Sequence, residues 1–148
     1  MSLDDDIARL AAAPLFGLLE RDALRLLSFA AEHRDLVRGE VLYRRGDASD
    51  GGYILLTGKV AVTGGVGEPV IAGPAALLGQ AALFAAAARP ATVTARERST
   101  LLRVTPTLMR RVLEEFPAAH RAVSAALADD LATLTEGLAA VGRRLDAI

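Results

Sequence analysis

The stretch Leu78-Gly79-Gln80-Ala81-Ala82-Leu83-Phe84-Ala85-Ala86-Ala87-Ala88-Arg89-Pro90-Ala91-Thr92-Val93 decides how this chain is read. A short apolar run ends at Gly79, and an alanine-rich segment begins at once. Arg89 follows ten residues after that glycine, just before a β-prone run. Gln80–Ala88 reads as a short helix between two strands, because alanine is the strongest helix former. The start of a helix presents unpaired N–H groups and a partial positive charge. Glycine permits close approach to the backbone. Arginine offers a fixed two-pronged donor that matches phosphate. The chemistry this segment favours is the binding of an anion.

Outward from the stretch, glycine divides the sequence. Ten of the thirteen glycines lie from Gly39 to Gly79, and glycine favours tight turns while weakening helices. From about Arg34 to Val104 short β-prone runs alternate with turns: Asp35–Val37, Val41–Tyr43, Gly52–Leu56, Lys59–Thr63, Pro69–Ala72, Leu77–Leu78, Ala91–Ala95 and Leu101–Val104. About eight strands at this spacing read as an antiparallel barrel, jelly roll or β-roll.

The two ends read as helical. Asp4 is placed to cap a short helix carrying Ile7 and Leu10, which Pro14 ends. A second helix carries Leu19, Ala23, Leu26, Leu27 and Ala30 on one face. After the strands, Thr105 caps a helix with Pro106 at its first position. Pro117 opens the final helix. In it Leu127, Leu131, Leu134, Leu138, Val141, Leu145 and Ile148 recur at intervals of 4, 3, 4, 3, 4, 3, a coiled-coil seam with a strict 3.5-residue period. The expectation is a homodimer through Leu127–Ile148. The competing reading lays this helix along its own domain's core.

With 148 residues, 52 % of them apolar, the chain has material for one core. A net charge of −1 and only 4 % aromatics argue against a broad nucleic-acid face. The chain has no cysteine, which removes disulfides, thiolate metal sites and cysteine nucleophiles. His33 and His120 are too few for a jelly-roll metal site, and Ser28, Ser99 and Ser124 have no convergent histidine and acid. No metal, cofactor or catalytic residue is therefore nominated, and the chain reads as a non-enzyme. No run is long enough to cross a bilayer, and the acidic start lacks a secretory signal. A cytoplasmic protein that does not engage membranes is expected.

The chain resembles the cyclic-nucleotide-binding domain family, in particular the sensor half of Crp–Fnr-type regulators. Pro14-Leu15-Phe16 resembles the family's opening turn. Arg38-Gly39-Glu40, Arg45-Gly46-Asp47 and Tyr53-Ile54-Leu55-Leu56-Thr57-Gly58-Lys59-Val60 resemble its β-roll signature. Gly79 to Val93 resembles its phosphate-binding cassette, with matching length from glycine to arginine, and Ala91-Thr92-Val93-Thr94-Ala95 resembles the strand that follows. The resemblance implies a mainly β fold with flanking helices: an eight-stranded β-roll (a jelly-roll-like double-stranded β-helix) with a cassette helix and a C-terminal dimerisation helix. One domain over 1–148 is implied, with N-terminal helices at 1–33, the roll at 34–104 with its cassette at 79–91, and C-terminal helices at 105–148.

What the resemblance implies for function is sensing of cAMP or cGMP, with occupancy relayed to the C-terminal helix. Carried over by position, the site is Gly79, Gln80, Ala81, Ala82, Arg89, Pro90 and Ala91, with Thr135 of the last helix near the base. Arg89 pairs with the cyclic phosphate in this scheme, and amides of the cassette helix and of the residue after the arginine also donate to it. Gln80 stands where the family has a glutamate for the ribose hydroxyl. Pro90 stands where the family has an N–H, and proline has none. These two departures support an alternative, a degenerate fold that binds no nucleotide and acts as a dimerising interaction module. A fragment of a Crp–Fnr transcription regulator is a further alternative. Direct DNA binding by this chain is not expected, since nothing after the last helix remains to enter a groove.

Overall fold

The computed structural model describes residues 3–64 and 67–135, with backbone alone for 130–135. The chain opens with helix α1 (Leu3–Ala12), which buries Ile7 and Leu10 as the spacing predicts. Asp4 does not cap it but lies in its first turn, where a carboxylate suits the positive helix end. A 3₁₀ turn at Phe16–Leu18 buries Phe16. Helix α2 (Arg21–Ala30) follows, and Arg21 pairs with Asp4 at 3.3 Å. Helix α2 buries Ala23, Leu24, Leu27 and Ser28. The expected face is thus rotated: Leu24 is inside, while Ala30, the last residue of the helix, is exposed where the chain turns away into the sheet.

Eight strands follow: β1 (Glu32–Leu36), β2 (Val41–Tyr43), β3 (Gly52–Thr57), β4 (Val60–Thr63), β5 (Val70–Ala72), β6 (Leu77–Leu78), β7 (Thr92–Ala95) and β8 (Ser99–Val104). They form two four-stranded sheets in the orders β1-β8-β3-β6 and β2-β7-β4-β5, with every pairing antiparallel. This is the jelly-roll-like arrangement expected. Strand β1 begins three residues before its predicted start and leaves Val37 outside. Its Glu32, His33 and Asp35 are exposed, as befits an edge strand with charged side chains, and that polarity hides it from a hydrophobic pattern.

The first sheet divides the interior into two compartments. Tyr53 and Leu55 of β3, Leu101 of β8 and Leu78 of β6 face the roll, where they meet Val60, Val62 and Val93. Ile54 and Leu56, Leu102 and Val104, and Leu77 face the helices. The period-two alternation of strand side chains produces this division.

Helix α3 (Pro106–Glu115) starts as predicted: Thr105 Oγ1 accepts from the Leu108 amide at 3.1 Å, with Pro106 in the first turn. Met109 and Val112 of α3 join the helical core. Helix α4 (Pro117–Thr135) buries Ala119 and Val123, and Leu127 packs half-buried against the same core. Leu127 therefore serves its own domain, as the competing reading of the seam has it. The side chains of Leu131 and Leu134, and all of Leu138, Val141, Leu145 and Ile148, lie outside the described residues. Among the described residues no helix is long and apolar enough to cross a membrane, and no cluster of three or more potential metal ligands occurs.

Candidate functional site

The segment after β6 departs from the expected helix over Gln80–Ala88. Only Gln80–Leu83 is helical, as a single 3₁₀ turn. The Ala85 amide still donates to Ala81 O at 3.3 Å, but residues 87–89 are instead tied to the loop after β2. Ala48 and Ala88 form an isolated antiparallel bridge. The Ser49 amide donates to Ala87 O at 2.9 Å, and the Ala87 amide donates to Ser49 Oγ at 2.9 Å. Helix propensity is a weak force beside such tertiary pairing. Both backbone groups of Arg89 are clamped as well: its N–H donates to Asp47 O and its carbonyl accepts from the Gly46 amide, each at 2.8 Å.

This clamp turns the Arg89 side chain inward, to 3 % exposure. Nη2 donates to Asp50 Oδ1 at 2.8 Å and to the Gly51 carbonyl at 2.7 Å. The guanidinium lies 3.9 Å from the Tyr43 ring centroid, with Tyr53 5.8 Å away. Nε and Nη1 are buried and have no hydrogen-bond partner. The donors left without a partner are thus the Nε–H, on the Nη2 side of the group, and the N–H groups of Nη1 at its other end.

Gly79 lies beside Nη1. Its φ is +79°, and a Cβ there would come within 2.6 Å of Arg89 Nη1. The sequence reading has this glycine admit a ligand to the backbone; the structure shows that it admits the guanidinium. Gly52 of β3 lets the 3₁₀ turn sit close, since a Cβ there would come within 2.7 Å of Leu83 Cδ2 and 3.1 Å of Gly79 O.

Asp50 links Arg89 to the sheet. Besides Arg89 it accepts from Tyr53 OH at 3.2 Å and from Arg103 Nη1 at 3.2 Å, and Arg103 Nη2 donates to Glu32 at 3.0 Å. Register explains the line: Glu32 and Tyr53 both pair with Arg103, so the three share one row across β1, β8 and β3. Burial pushes the Tyr43 hydroxyl up to about 12. Burial and then Asp50 raise Tyr53. Arg103 is raised by Glu32 and Asp50, against the lowering effect of burial.

The remaining predicted residues divide by position. Gln80 is partly exposed at the start of the 3₁₀ turn and Ala81 is exposed within it. Ala82 is buried, and its amide is occupied by Gly79 O at 3.1 Å. Pro90 is exposed, while Ala91 is packed inside the roll. Thr135 is the last residue of α4, and its side chain lies outside the described residues. Asp50, Tyr43, Tyr53 and Arg103 escaped the sequence reading because they reach Arg89 only through sheet pairing. The sequence carries no signal that singles them out, since β2 and β3 are written as unbroken apolar runs.

Comparison with known proteins agrees with this geometry. The profile of the cyclic nucleotide-binding domain matches residues 33–116. The solved structure of a cyclic nucleotide-binding-like protein from Brucella abortus bv. 1 str. 9-941 is 36 % identical, with TM-score 0.66, over 75 % of this chain and 99 % of that one. The N-terminal domain of a transcriptional regulator from Streptomyces coelicolor A3(2) is 28 % identical, with TM-score 0.77, over 86 % of this chain and 93 % of that one. The C-linker/CNBHD of zELK channels, crystallised in the presence of cAMP, shares the fold at 24 % identity and TM-score 0.65, over 81 % of this chain and 62 % of that one. No curated protein matches the chain. With its two four-stranded sheets, its glycine-led 3₁₀ turn and a buried arginine ten residues on, the chain belongs to the cyclic nucleotide-binding domain family.

Proposed function

We propose that this chain is a regulatory sensing domain that holds a cyclic nucleotide, cAMP or cGMP, at Gly79–Arg89 and relays occupancy to its C-terminal helix. The observation that carries the reading is a buried guanidinium whose Nε and Nη1 donors have no partner, with Nη1 beside Gly79. A phosphate accepting from the two N–H groups of Nη1 satisfies stranded donors beside Gly79. Charge-assisted bonds contribute about 1.5–3 kcal/mol each, and a buried polar group without a partner is costly. Gln80 serves the ribose as a neutral acceptor and Pro90 donates nothing, so affinity falls roughly 100-fold below that of a site with a carboxylate and an N–H there.

The relay has a physical route. Arg89 lies against the roll, while Leu83, six residues earlier, belongs to the helical core with Met109, Val112 and Val123. A cavity of ≈ 270 Å³ lined by Leu83, Phe84, Met109, Leu113 and His120 opens beside this contact and leaves room for rearrangement. A ligand biases that arrangement only by binding its two states unequally. Calorimetric titration of the protein with cAMP and cGMP tests the reading: saturable heat and a raised melting temperature are expected. Silence in both at millimolar ligand removes it.

Such silence is the outcome of a second reading, which Asp50 favours. Its carboxylate already compensates the Arg89 charge, so the fold tolerates this arginine with no ligand, as a dimerising interaction module does. Both readings include a homodimer through Leu127–Ile148. Leu127 packs half-buried against its own core, so the seam is tested at positions beyond it. Replacing Leu134 and Leu138 together with glutamate is expected to reduce the mass in light scattering to that of one chain, and an unchanged dimer refutes the seam.

A further inference from the structure

We propose that Tyr43 is a positioning residue that sets the plane of the Arg89 guanidinium, so that the unpaired N–H groups of Nη1 are presented to the anion; this rests on the sensing reading above. Nη2 is held by Asp50 and Gly51, which fixes one corner of the fork. Two bonds at one corner leave the rest of the plane free to tilt. The Tyr43 ring, 3.9 Å from the guanidinium carbon, lies against that plane, and its attraction is strongest where water is excluded. Nη1 itself lies beside Gly79, where a Cβ would come within 2.6 Å of it.

Tyr43 has its own reason to be there. It pairs with Val93 in the β2–β7 register and belongs to the roll core, so its ring is fixed by packing before any ligand arrives. The polar tip is not what Arg89 uses: the contact is with the ring face. The inference therefore predicts that the ring matters and the hydroxyl does not. It also makes anion affinity depend on a residue that touches no ligand atom.

Tyr43→Phe and Tyr43→Leu separate the two parts. Tyr43→Phe is expected to keep cAMP affinity, and Tyr43→Leu to lose roughly 10- to 30-fold. A readout independent of ligand is the Arg89 Nε–H signal in ¹H–¹⁵N spectra, assigned by its loss in Arg89→Lys. A ring face beside it shifts this proton upfield in the wild type and in Tyr43→Phe, and the shift disappears in Tyr43→Leu. If Tyr43→Leu does not fold, Tyr43→Met, which fills the space without a ring, is judged by the same criteria. Equal losses in the Phe and Leu variants, or an unchanged Nε–H signal without the ring, overturn the inference. If the wild type gives no heat with cAMP, the sensing reading fails, and the spectra alone still decide whether Tyr43 orients Arg89.

Discussion

Arg89→Leu is expected to lower affinity for cAMP or cGMP by roughly 100-fold or more, while the melting temperature moves by only a few degrees. The binding loss follows from two charge-assisted bonds at about 1.5–3 kcal/mol each, with about 1.4 kcal/mol per tenfold. The small stability effect follows from opposing terms. Leucine gives up the bonds to Asp50 and Gly51 but also removes a buried charge with two unpaired nitrogens. Replacing buried ionic groups by apolar ones is often near neutral. Asp50 keeps Arg103 and Tyr53 as partners, so it is not abandoned. Arg89→Lys is expected to lose binding nearly as far, because an ammonium is a point charge without a planar array of donors. Calorimetry beside a thermal melt checks both halves, and wild-type affinity in Arg89→Leu moves the anion elsewhere.

The largest expected loss of stability lies away from this site, at Gly58→Ala. Gly58 turns β3 into β4 at φ +98°, and a Cβ there would meet Ser99 Oγ, the Arg98 carbonyl at 2.6 Å and Ser99 Cα at 2.7 Å. Two of these are backbone atoms, and Ser99 is fully buried with its hydroxyl donating to Glu97 O at 2.9 Å, so nothing near can yield cheaply. Left-handed strain of about 1–3 kcal/mol adds to overpacking of similar size. A loss of roughly 3 kcal/mol or more is expected, which lowers the melting temperature by about 10 °C. Gly46→Ala is the control: φ is +89°, yet a Cβ there meets nothing within 4 Å, so strain alone remains, at roughly 1 kcal/mol. Equal melting temperatures for the two variants disprove the steric argument.

Much of the roll was legible because glycine punctuates it. Seven of the eight strands were expected within about two residues of their ends, and Thr105 with Pro106 marked the start of α3. Strand β1 was shifted because an edge strand written Glu-His-Arg-Asp-Leu carries no alternating pattern. Asp6 and His33 illustrate the same blindness: separated by 27 residues, they meet at 3.1 Å across α1 and β1. In the site, Gly79 and Arg89 could be named from spacing. The partners of Arg89 could not, since Asp50 is 39 residues away and Tyr43 reaches it through the β2–β7 pairing. The alanine run over-predicted helix because propensity is local and the bonds to Asp47 and Ser49 are not.

The shared sheet between roll and helices limits how this sequence can vary. A substitution among the residues facing only the roll, such as Val62, or only the helices, such as Leu10, answers to one set of neighbours. Strand β3 answers to two, because each step along Tyr53-Ile54-Leu55-Leu56 changes sides. Any added bulk or bend in that partition is transmitted to the opposite compartment, where compensation must be found independently. Strands β8 and β6 alternate in the same way, so tolerance to mutation is narrowest along this sheet, and drift in either half is coupled to the other through it.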